Sequence, residues 1–327
     1  MYPLSLPSPI PPILISVVIP ARNAQSTLDQ TLWSVRRQSH THWEVIVVND
    51  GSTDQTSEVI QAHRSEDPRI QEVAGDAQGV SAARNLGATR SRGALLAFLD
   101  ADDLWLPEKL SWHVRALSNA PDIGVSFDRV RFVNTDASPT PVVSARRVGG
   151  LQTHEFLSEN PACTASTLVV RREVFEATGG FDASLRHAED LELMIRVRAT
   201  TPWRVEGINR VLTHYRANPS GASSDLHKMQ AGWESVMARV QTYAPELWSH
   251  HGCHATAIHM RYLARRTVRL GLPATEGLNW LKRAWQSSPI ALCRQPWRSL
   301  GTLCALLYRL AKRQVLCRLL SSSRSFS

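Results

Sequence analysis

Four runs of apolar, largely β-branched residues recur within the first hundred positions of the chain. Short continuous apolar runs bounded by turn-forming residues are typical of strands that a sheet buries on both faces. The predicted strands are ILISVVIP (13–20), WEVIVVND (43–50), residues 70–73 and ALLAFLD (94–100). Their spacing leaves room for one helix after each strand.

The segments between these strands carry apolar residues at helical spacing. In the first segment Ser26 is the expected N-cap, and Leu28, Leu32 and Val35 follow on one helical face. The other predicted helices cover residues 52–63, 79–93 and 107–117. Strands and helices that alternate through short connections predict right-handed βαβ units. The fold class is therefore α/β, with a mostly parallel sheet flanked by helices.

The pattern is less regular after residue 120. It predicts a strand and a polar loop at 123–143, a strand, short helix and Gly-Gly turn at 165–182, a helix at 189–199, and two strand-like pieces, WRVEG (203–207) and RVLTHYR (210–216). From residue 225 the pattern is helical. We therefore divide the chain into a flexible leader (1–12), an α/β domain (13–224) and a helical C-terminal region (225–327).

The charge of the chain is divided unevenly between these parts. Residues 1–224 contain 22 Lys and Arg against 25 Asp and Glu, a net charge of −3. Residues 225–327 contain 15 against 4, a net charge of +11. The basic character belongs to the last third of the chain, which indicates an anionic partner there, such as lipid headgroups or a phosphorylated substrate.

The segment LCALLYRLAKRQVLCRLL (303–320) places leucines and cations at helical spacing. It is typical of a basic amphipathic helix that lies on an anionic membrane. A terminal helix packed on its own domain, with its basic face in water, explains the pattern slightly better. No nucleic-acid partner is expected, because no nucleic-acid-binding motif accompanies the charge. The sequence contains no run of about 20 apolar residues, so no membrane-spanning helix is predicted.

Cysteine usage and the N-terminus bear on the compartment. The five cysteines are scattered, without a CxxC pair, which favours buried thiols in a reducing compartment. The apolar N-terminus has no basic region and contains six prolines within residues 1–21. We interpret it as a leader rather than a signal peptide. A cytoplasmic protein, peripheral to the inner face of the plasma membrane, is expected.

Carboxylates cluster at two turns that follow predicted strands. Asp50 ends the second strand, and Asp100, Asp102 and Asp103 end the fourth. Ligands of open α/β sheets bind at the carboxyl ends of the strands. Three carboxylates within four residues repel one another unless something positive lies among them. We therefore expect an arginine or a divalent metal at the second turn, with a solvated loop as the alternative because Asp favours turns.

Four motifs now stand in order at ordinary spacing: SVVIPARN (16–23), VVNDGSTDQT (47–56), GVSAARNLGATRSRGALLAFLDADDLWLPEKL (79–110) and GGFDASLRHAEDLELMIRV (179–197). Together they closely resemble family 2 glycosyltransferases of the GT-A fold, over residues 13–216. The resemblance implies a GT-A-type nucleotide-binding sheet. It also implies transfer of a sugar from a nucleotide diphosphate sugar, with inversion, and Mg²⁺ or Mn²⁺ as cofactor.

The resemblance also assigns roles to single residues. Asp190 would be the general base. Asp102 of the DXD-type sequence DADD would bind the metal together with His214, and Arg216 would contact phosphate. The donor nucleotide would contact Pro20, Ala21, Arg22, Asn23, Asp50, Arg84, Asp100 and Ala101. Within that set, Asp50 would accept a hydrogen bond from the base, and Asp100 would face the ribose.

The chemistry of inverting transfer calls for such groups. The nucleoside diphosphate leaves with several negative charges, which a hard divalent cation held by one or two carboxylates offsets. In-line displacement also needs one base to take the proton of the acceptor hydroxyl. Asp190 suits this role at a helix N-terminus, which keeps it ionised, while nearby acidic groups raise its pKa.

Each assignment has a plainer structural alternative. Asp190 could simply favour the helix dipole, and Asp103 could be only the N-cap of a helix that begins at Leu104. His214 could be a hydrogen-bonded polar residue at a strand end, and Arg216 could form a surface ion pair.

We therefore expect a glycosyltransferase that makes a single addition to a glycan or lipid-linked acceptor in surface polysaccharide or glycolipid assembly. A UDP-sugar is the expected donor on family frequency alone. A processive synthase is not expected, because a QxxRW motif and spanning helices are missing. Two alternatives stay open. One is a nucleotidyltransferase, although no Gly-rich basic phosphate loop follows the first strand. The other is a non-catalytic nucleotide-sugar-binding protein, although Asp102 and Asp190 are both present. A dehydrogenase is disfavoured because no GxGxxG follows the first strand.

Overall fold

The computed structural model describes residues 12–144, 147–216 and 225–323, and for residues 313–323 it describes the backbone alone. The described residues form two compact units. One contains residues 12–144, 147–153 and 160–216, and the other contains residues 154–159 and 225–323. The predicted leader lies outside the described residues except for Pro12. The domain boundaries drawn from the sequence stay predictions.

The first unit is built on one sheet, which has nine strands in the described residues. The strands are β1 (Ile15–Ala21), β2 (Trp43–Asn49), β3 (Ile70–Ala74), β4 (Leu95–Phe98), β5 (Leu104–Trp105), β6 (Ile123–Val133), β7 (Pro139–Val143), β8 (Val169–Arg171) and β9 (Arg204–Arg216). Their order across the sheet is β3-β2-β1-β4-β8-β6-β9-β5, and β7 pairs with β6.

The parallel half of the sheet determines where the polar turns meet. β3, β2, β1 and β4 are all parallel, with Val18 of β1 opposite Ile46 on one side and Phe98 on the other. β6 and β9 are also parallel, whereas β8, β7 and β5 pair antiparallel with their neighbours. Because β1, β2 and β4 run in one direction, the turns that follow them lie at the same edge.

Helices cover the sheet of the first unit. They are α1 (Leu28–Arg36), α2 (Thr56–Glu66), α3 (Val80–Arg90), α4 (Lys109–Asn119), α6 (Arg172–Ala177) and α7 (Glu189–Thr200), with a 3₁₀ turn at Ala165–Thr167. The remaining helix in this part of the chain, α5 (Thr153–Ser158), belongs to the second unit apart from Thr153. The sheet and α1 and α4 share one apolar core, in which Leu32 and Val114 have no exposed surface. Close packing of α3 needs Gly87, since a Cβ there would come within 2.4 Å of the Val18 side chain.

The predicted α/β fold and its helical C-terminal region are confirmed, and so are the first four strands to within one or two residues. Several local expectations were wrong. The N-cap of α1 is Thr27 rather than Ser26, and its side chain makes no capping hydrogen bond. The two strand-like pieces after residue 202 form the single strand β9, and the pairing between β6 and β9 absorbs the irregularity through shifts of register. The short strands β5 and β7 were not expected.

The second unit is helical. It contains α8 (Leu226–Tyr243), α9 (Pro245–Arg269), α10 (Ala274–Ser287), α11 (Pro289–Cys293) and α12 (Pro296–Ser323). Asp225 caps α8 by accepting hydrogen bonds from the backbone N–H groups of His227 and Lys228, both at 3.0 Å. An apolar core that includes Leu263, Trp280 and Leu306 joins the helices.

Two findings concern the cysteines and the length of the helices. Cys253, Cys293 and Cys304 are free and exposed, so the expectation of buried thiols was wrong for these three. Among the helices that the structure describes, none is long and apolar enough to cross a bilayer.

Candidate functional site

A cavity of about 520 Å³ lies at the carboxyl ends of β1 and β4. The polypeptide segments that line it are the loop after β1, the first turn of α3, the acidic turn after β4, the loop after β6 and the end of β9. The lining residues are Pro20, Arg22, Asn23, Ala24, Ser26, Thr27, Val80, Asp100, Ala101, Asp102, Thr135 and Arg216. Seven of the residues predicted from the sequence are among them, although their motifs are far apart in the chain.

The loop after β1 is tied to the loop after β2. Asn23 has a left-handed backbone, with φ of 51°. Its N–H donates to Ser52 Oγ at 3.0 Å, and its Oδ1 accepts from the N–H of Thr53 at 2.8 Å. Local strain of this kind persists where the surrounding structure determines it. Ala21, two residues earlier, is buried within β1 and is not among the residues that line the cavity.

Asp50 directly follows β2 and is almost fully buried. Its Oδ2 accepts a hydrogen bond from the N–H of Gly79 at 2.9 Å, at the start of α3. Gly79 has a φ of +100°, which a residue with a Cβ adopts only with strain. Asp50 thus fixes the loop that leads into α3. Its hydrogen bond to a nucleobase stays a prediction.

Asp102 presents a carboxylate to the cavity with little to neutralise it. Burial, followed by the negative charge of Asp100, raises the pKa of Asp102 to about 6, and the charge of Arg216 opposes that rise. Asp100 itself is held in place, because its Oδ2 accepts from Thr164 Oγ1 at 3.2 Å and its N–H donates to Ser166 Oγ at 3.0 Å. The turn is therefore rigid and rich in negative charge.

Asp103 is not the N-cap of a helix, and that alternative was wrong. Leu104 begins β5 instead, opposite His214 of β9. The buried Asp103 accepts a hydrogen bond from the N–H of Arg216 at 2.9 Å through Oδ1. Burial and the charges of its two acidic neighbours raise its pKa well above the ordinary value. Asp103 ties the acidic turn to the end of β9.

Arg216 lies in the cavity wall and is held by neutral acceptors. Its Nε donates to the carbonyl of Asp102 at 2.7 Å, its Nη2 donates to Gln30 Oε1 at 2.9 Å, and its Nη1 donates to the carbonyl of Thr135. Within the described residues no carboxylate forms an ion pair with it, so the surface ion pair was the wrong alternative. A buried guanidinium that no carboxylate contacts directly suits an anionic ligand.

Arg84 joins the acidic turn to α7. Its Nη1 donates to Glu189 Oε1 at 2.6 Å, and its Nη2 donates to Asp100 Oδ1. Only 2% of the side chain is exposed. The two carboxylates raise its pKa against the opposing effect of burial. Arg84 does not line the cavity, and a direct contact with the nucleotide stays a prediction.

Asp190 lies in the first turn of α7, next to the residue that Arg84 binds. The turn is preceded by Ala188, whose φ of 61° is left-handed. Asp190 Oδ2 accepts from Asn160 Nδ2 at 2.7 Å. Burial, followed by the negative charge of Glu189, raises the pKa of Asp190 to about 6. A carboxylate with a pKa near neutrality is suited to accept a proton.

Sequence reasoning missed residues that hold the predicted ones in place. Asn160 orients Asp190, Thr164 and Ser166 orient Asp100, and Gln30 and Thr135 orient Arg216. None belongs to a recognisable motif. Only the polar sequence TAST (164–167) beside an apolar strand could have drawn attention to Thr164 and Ser166.

His214 lies in β9, opposite Leu104 of β5, and is half-buried. Burial, followed by the nearby charge of Arg131, lowers the pKa of its imidazole. Among the described residues that line the cavity, His214 is not present. Its role as a metal ligand stays a prediction.

The carboxylate oxygens around Asp102 suit a hard divalent cation that also takes ligands from a bound substrate. The described residues contain no group of three or more His, Cys, Asp or Glu side chains arranged to hold a metal by themselves. Mg²⁺ usually takes one or two carboxylates and completes its coordination with phosphate oxygens and water. The uncompensated carboxylate of Asp102, beside the cavity and Asp100, is suited to that arrangement.

Comparison with known proteins decides the family. The model of the family "Glycosyl transferase family 2" matches residues 16–179. The chain belongs to this family. The matched residues include the β1 loop, both acidic turns and Arg84. Asp190, His214 and Arg216 lie beyond the end of the match.

Curated relatives share this part of the chain. The putative teichuronic acid biosynthesis glycosyltransferase TuaG of Bacillus subtilis (strain 168) is 30% identical over 217 residues, covering 66% of this family 2 chain and 83% of TuaG. The UDP-Glc:alpha-D-GlcNAc-diphosphoundecaprenol beta-1,3-glucosyltransferase WfgD of Escherichia coli is 25% identical over 223 residues, covering 68% and 84%. These relatives and the family match support sugar transfer as the activity of this chain.

Solved structures share the fold. The mannosyltransferase PcManGT from Pyrobaculum calidifontis, in complex with GDP-Man and Mn²⁺, superposes with a TM-score of 0.57 at 16% identity, covering 90% of this family 2 chain and 86% of its own. S. aureus TarS 1–349, in complex with UDP-GlcNAc, gives 0.54 at 15% identity, covering 84% and 91%. At these identities the likeness shows the fold alone.

Proposed function

We propose that this chain transfers one sugar from a nucleotide diphosphate sugar to a hydroxyl of a glycan or lipid-linked acceptor, with inversion and with Mg²⁺ or Mn²⁺. The observation that carries the proposal is the position of Arg84. Its guanidinium binds Asp100 at the cavity and Glu189 beside Asp190. A single buried side chain thus links the predicted donor site to the predicted base.

The donor would lie in the 520 Å³ cavity, with its nucleoside toward the loop of Pro20 to Asn23 and its diphosphate toward Asp102 and Arg216. The size and the mixed charge of the cavity support a ligand that carries both a polar ring system and an anionic group. Solved relatives in complex with UDP-GlcNAc and GDP-Man support a nucleotide-sugar donor. A UDP-sugar is the first class to test.

The reaction follows from these groups. Asp190 would accept the proton of the acceptor hydroxyl as the hydroxyl oxygen attacks the anomeric carbon. The bond between that carbon and the diphosphate breaks, and the nucleoside diphosphate leaves from the opposite face, which inverts the configuration. A divalent cation held by Asp102, and by His214 if it reaches the site, would offset the charge of the leaving diphosphate. Arg216 would contribute a fixed positive charge beside it.

A donor screen tests the proposal. Purified full-length protein is incubated with Mg²⁺ or Mn²⁺ and a panel of nucleotide sugars, and the released nucleoside diphosphate is measured by chromatography, with and without short glycan acceptors. Release from one donor, dependent on the acceptor, is expected. Binding of a nucleotide sugar without release under every acceptor condition would favour the non-catalytic alternative, and failure to bind any nucleotide sugar would contradict the proposal.

The rate should depend on pH through Asp190. Because burial and Glu189 raise its pKa from 3.8 to about 6, the base retains its proton to a higher pH than an ordinary aspartate. We expect kcat/KM to fall about tenfold per pH unit below pH 6 and to level off above it. Profiles between about pH 5 and pH 8 at saturating metal, which keeps Asp102 ionised, check this. A flat profile across that range would count against Asp190.

The metal should be required and should act through Asp102. We expect EDTA to abolish turnover and Mg²⁺ or Mn²⁺ to restore it. Asp102→Asn should raise the metal concentration needed for half-maximal rate by about tenfold or more, because a carboxylate ligand is lost. The matched control is Asp122→Asn, an exposed aspartate that pairs with Arg204. Equal metal dependence in both variants would rule out Asp102 as a ligand.

A further inference from the structure

Exposed large apolar side chains are concentrated in the second unit. In the described part of the chain, ten such residues are 37% or more exposed, and eight of them lie between Leu270 and Tyr308. Trp297 is 85% exposed, Tyr308 69% and Ile290 67%. Single exposed apolar residues are ordinary on protein surfaces, but a concentration of this kind marks an interaction surface.

Helix α12 presents most of these residues on one side. Trp297, Leu300, Leu303, Leu307 and Tyr308 are exposed and recur at helical spacing, and we call this set the outward face of α12. Thr302 and Leu306 are buried on the opposite side. Leu306 packs so tightly on α10 that a Cβ at Gly277 would come within 2.4 Å of it. The helix is thus anchored by one apolar strip and leaves a second one exposed.

This arrangement differs from what a terminal helix packed on its own domain requires. Such a helix would bury its leucines and expose its cations. Here Leu303 and Leu307 are exposed although Leu306 already provides the packing contact. From Trp297 to Tyr308 the outward face extends for about 16 Å along the helix axis, at the usual rise per residue.

The part of the chain that carries the outward face has charges of one sign. After Glu276 the sequence contains nine Lys and Arg and no Asp or Glu. Lys282, Arg283, Arg294, Arg298 and Lys312 are exposed. None of these five cations forms an ion pair with a carboxylate among the described residues. A partner that covers the apolar face must therefore also accept uncompensated positive charge.

These observations select among the partners that could cover such a face. A second copy of this chain would bring cations against cations, since no carboxylate follows Glu276. A nucleic acid would offset the charge but would leave the exposed leucines without apolar contact. An anionic lipid surface meets both needs, because acyl chains accept the apolar residues, headgroups accept the cations, and Trp and Tyr favour the boundary between the two.

We infer that the outward face of α12 is a docking surface for an anionic phospholipid membrane. The helix lies in the plane of the interface with Trp297, Leu300 and Leu307 inserted among the lipids and with Arg298 and Lys312 at headgroup level. The docking surface stands independently of the proposed transfer reaction. In the cell it would hold the chain at the inner face of the plasma membrane.

Vesicle co-sedimentation with the full-length chain tests the inference. The probes are vesicles of phosphatidylcholine alone and vesicles that contain about 30% phosphatidylserine, at about 0.05 M and about 0.5 M salt. We expect binding to the anionic vesicles at low salt, weakened about tenfold at high salt and by omission of phosphatidylserine. No binding to anionic vesicles at low salt would overturn the inference.

Paired variants distinguish binding through the outward face from nonspecific binding through charge or exposed apolar residues elsewhere on the chain. Trp297→Ser with Leu307→Ser should weaken binding about tenfold or more, whereas Val142→Ser, which removes an exposed valine of β7, should not. Arg298→Glu with Lys312→Glu should abolish the preference for phosphatidylserine, whereas Arg64→Glu with Arg90→Glu, at exposed positions of α2 and α3, should leave it unchanged. Equal binding by all four variants would assign the affinity elsewhere.

Two further measurements show whether each variant is folded and whether the chain forms a dimer. Circular dichroism confirms that each variant is folded, and light scattering gives its mass. A wild-type dimer that Trp297→Ser with Leu307→Ser converts to a monomer would identify the face as a contact between copies, and would overturn the membrane assignment. Nucleoside diphosphate release is measured without vesicles, so failure of docking and failure of the proposed transferase activity are distinguishable.

Discussion

Replacement of Asp190 by Asn is expected to lower kcat by about 10²–10⁴-fold, the usual contribution of a general base. The amide keeps the shape of the side chain, and its carbonyl oxygen can still accept the hydrogen bond from Asn160 Nδ2. It cannot accept the proton of the acceptor hydroxyl. Donor affinity should change little, because Asp190 does not line the cavity.

The control for this variant is again Asp122→Asn, which changes an exposed carboxylate on the same unit. Steady-state kinetics with the donor and acceptor found in the screen give kcat, and titration calorimetry gives the donor Kd. A variant at position 190 that keeps more than about a tenth of the wild-type kcat would show that another group removes the proton. Equal losses in donor affinity and in rate would indicate a structural role instead.

The largest effect on stability is expected at a buried charged cluster beneath the acidic turn. Lys109 and Asp128 form an ion pair with no exposed surface. Lys109 Nζ also donates to the carbonyl of Thr167 and to Thr213 Oγ1, both at 3.2 Å. Burial, followed by the charge of Lys109, lowers the pKa of the adjoining His113 to about 4. The imidazole is therefore neutral, and the ion pair is the charged core of the cluster.

Asp128→Asn should lower the free energy of unfolding by about 3–5 kcal/mol, because it leaves a buried ammonium without a counterion. The double variant Lys109→Met with Asp128→Asn removes both charges and should lose clearly less than the two single variants together. Urea unfolding followed by circular dichroism measures the loss, and hydrogen exchange of the β6 amides reports on this unit alone. Strict additivity of the two substitutions would show that the pair contributes nothing as a pair.

The parts of the fold that the sequence predicted are those with a strong local signal. β1, β2 and β4 are continuous apolar runs, and the structure buries nearly all of their residues. β5 has two residues and β7 contains two prolines, so neither carries a pattern that indicates a strand. Their formation depends on pairing with β9 and β6, which sequence periodicity does not report.

The residues of the candidate site also divide into those with a local sequence signal and those without one. The acidic turn and the loop after β1 could be predicted because both follow strands of the parallel half of the sheet. The contact between Arg84 and Glu189 joins residues 105 positions apart, and nothing local indicates it. Asp103 illustrates the opposite error. Its place before an expected helix favoured a cap, whereas the tertiary structure uses it to hold the N–H of Arg216.

Nuclear magnetic resonance of a single reaction tests the central proposal most directly. Wild-type protein, Mg²⁺, the donor from the screen and an acceptor are followed by phosphorus and proton spectra together. We predict that nucleoside diphosphate appears in step with a new glycosidic anomeric proton whose coupling shows the configuration opposite to that of the donor. Retention of configuration would contradict the inverting mechanism. Formation of nucleotide sugar from a sugar phosphate and a nucleoside triphosphate, with release of pyrophosphate and no glycoside, would contradict sugar transfer and identify a nucleotidyltransferase.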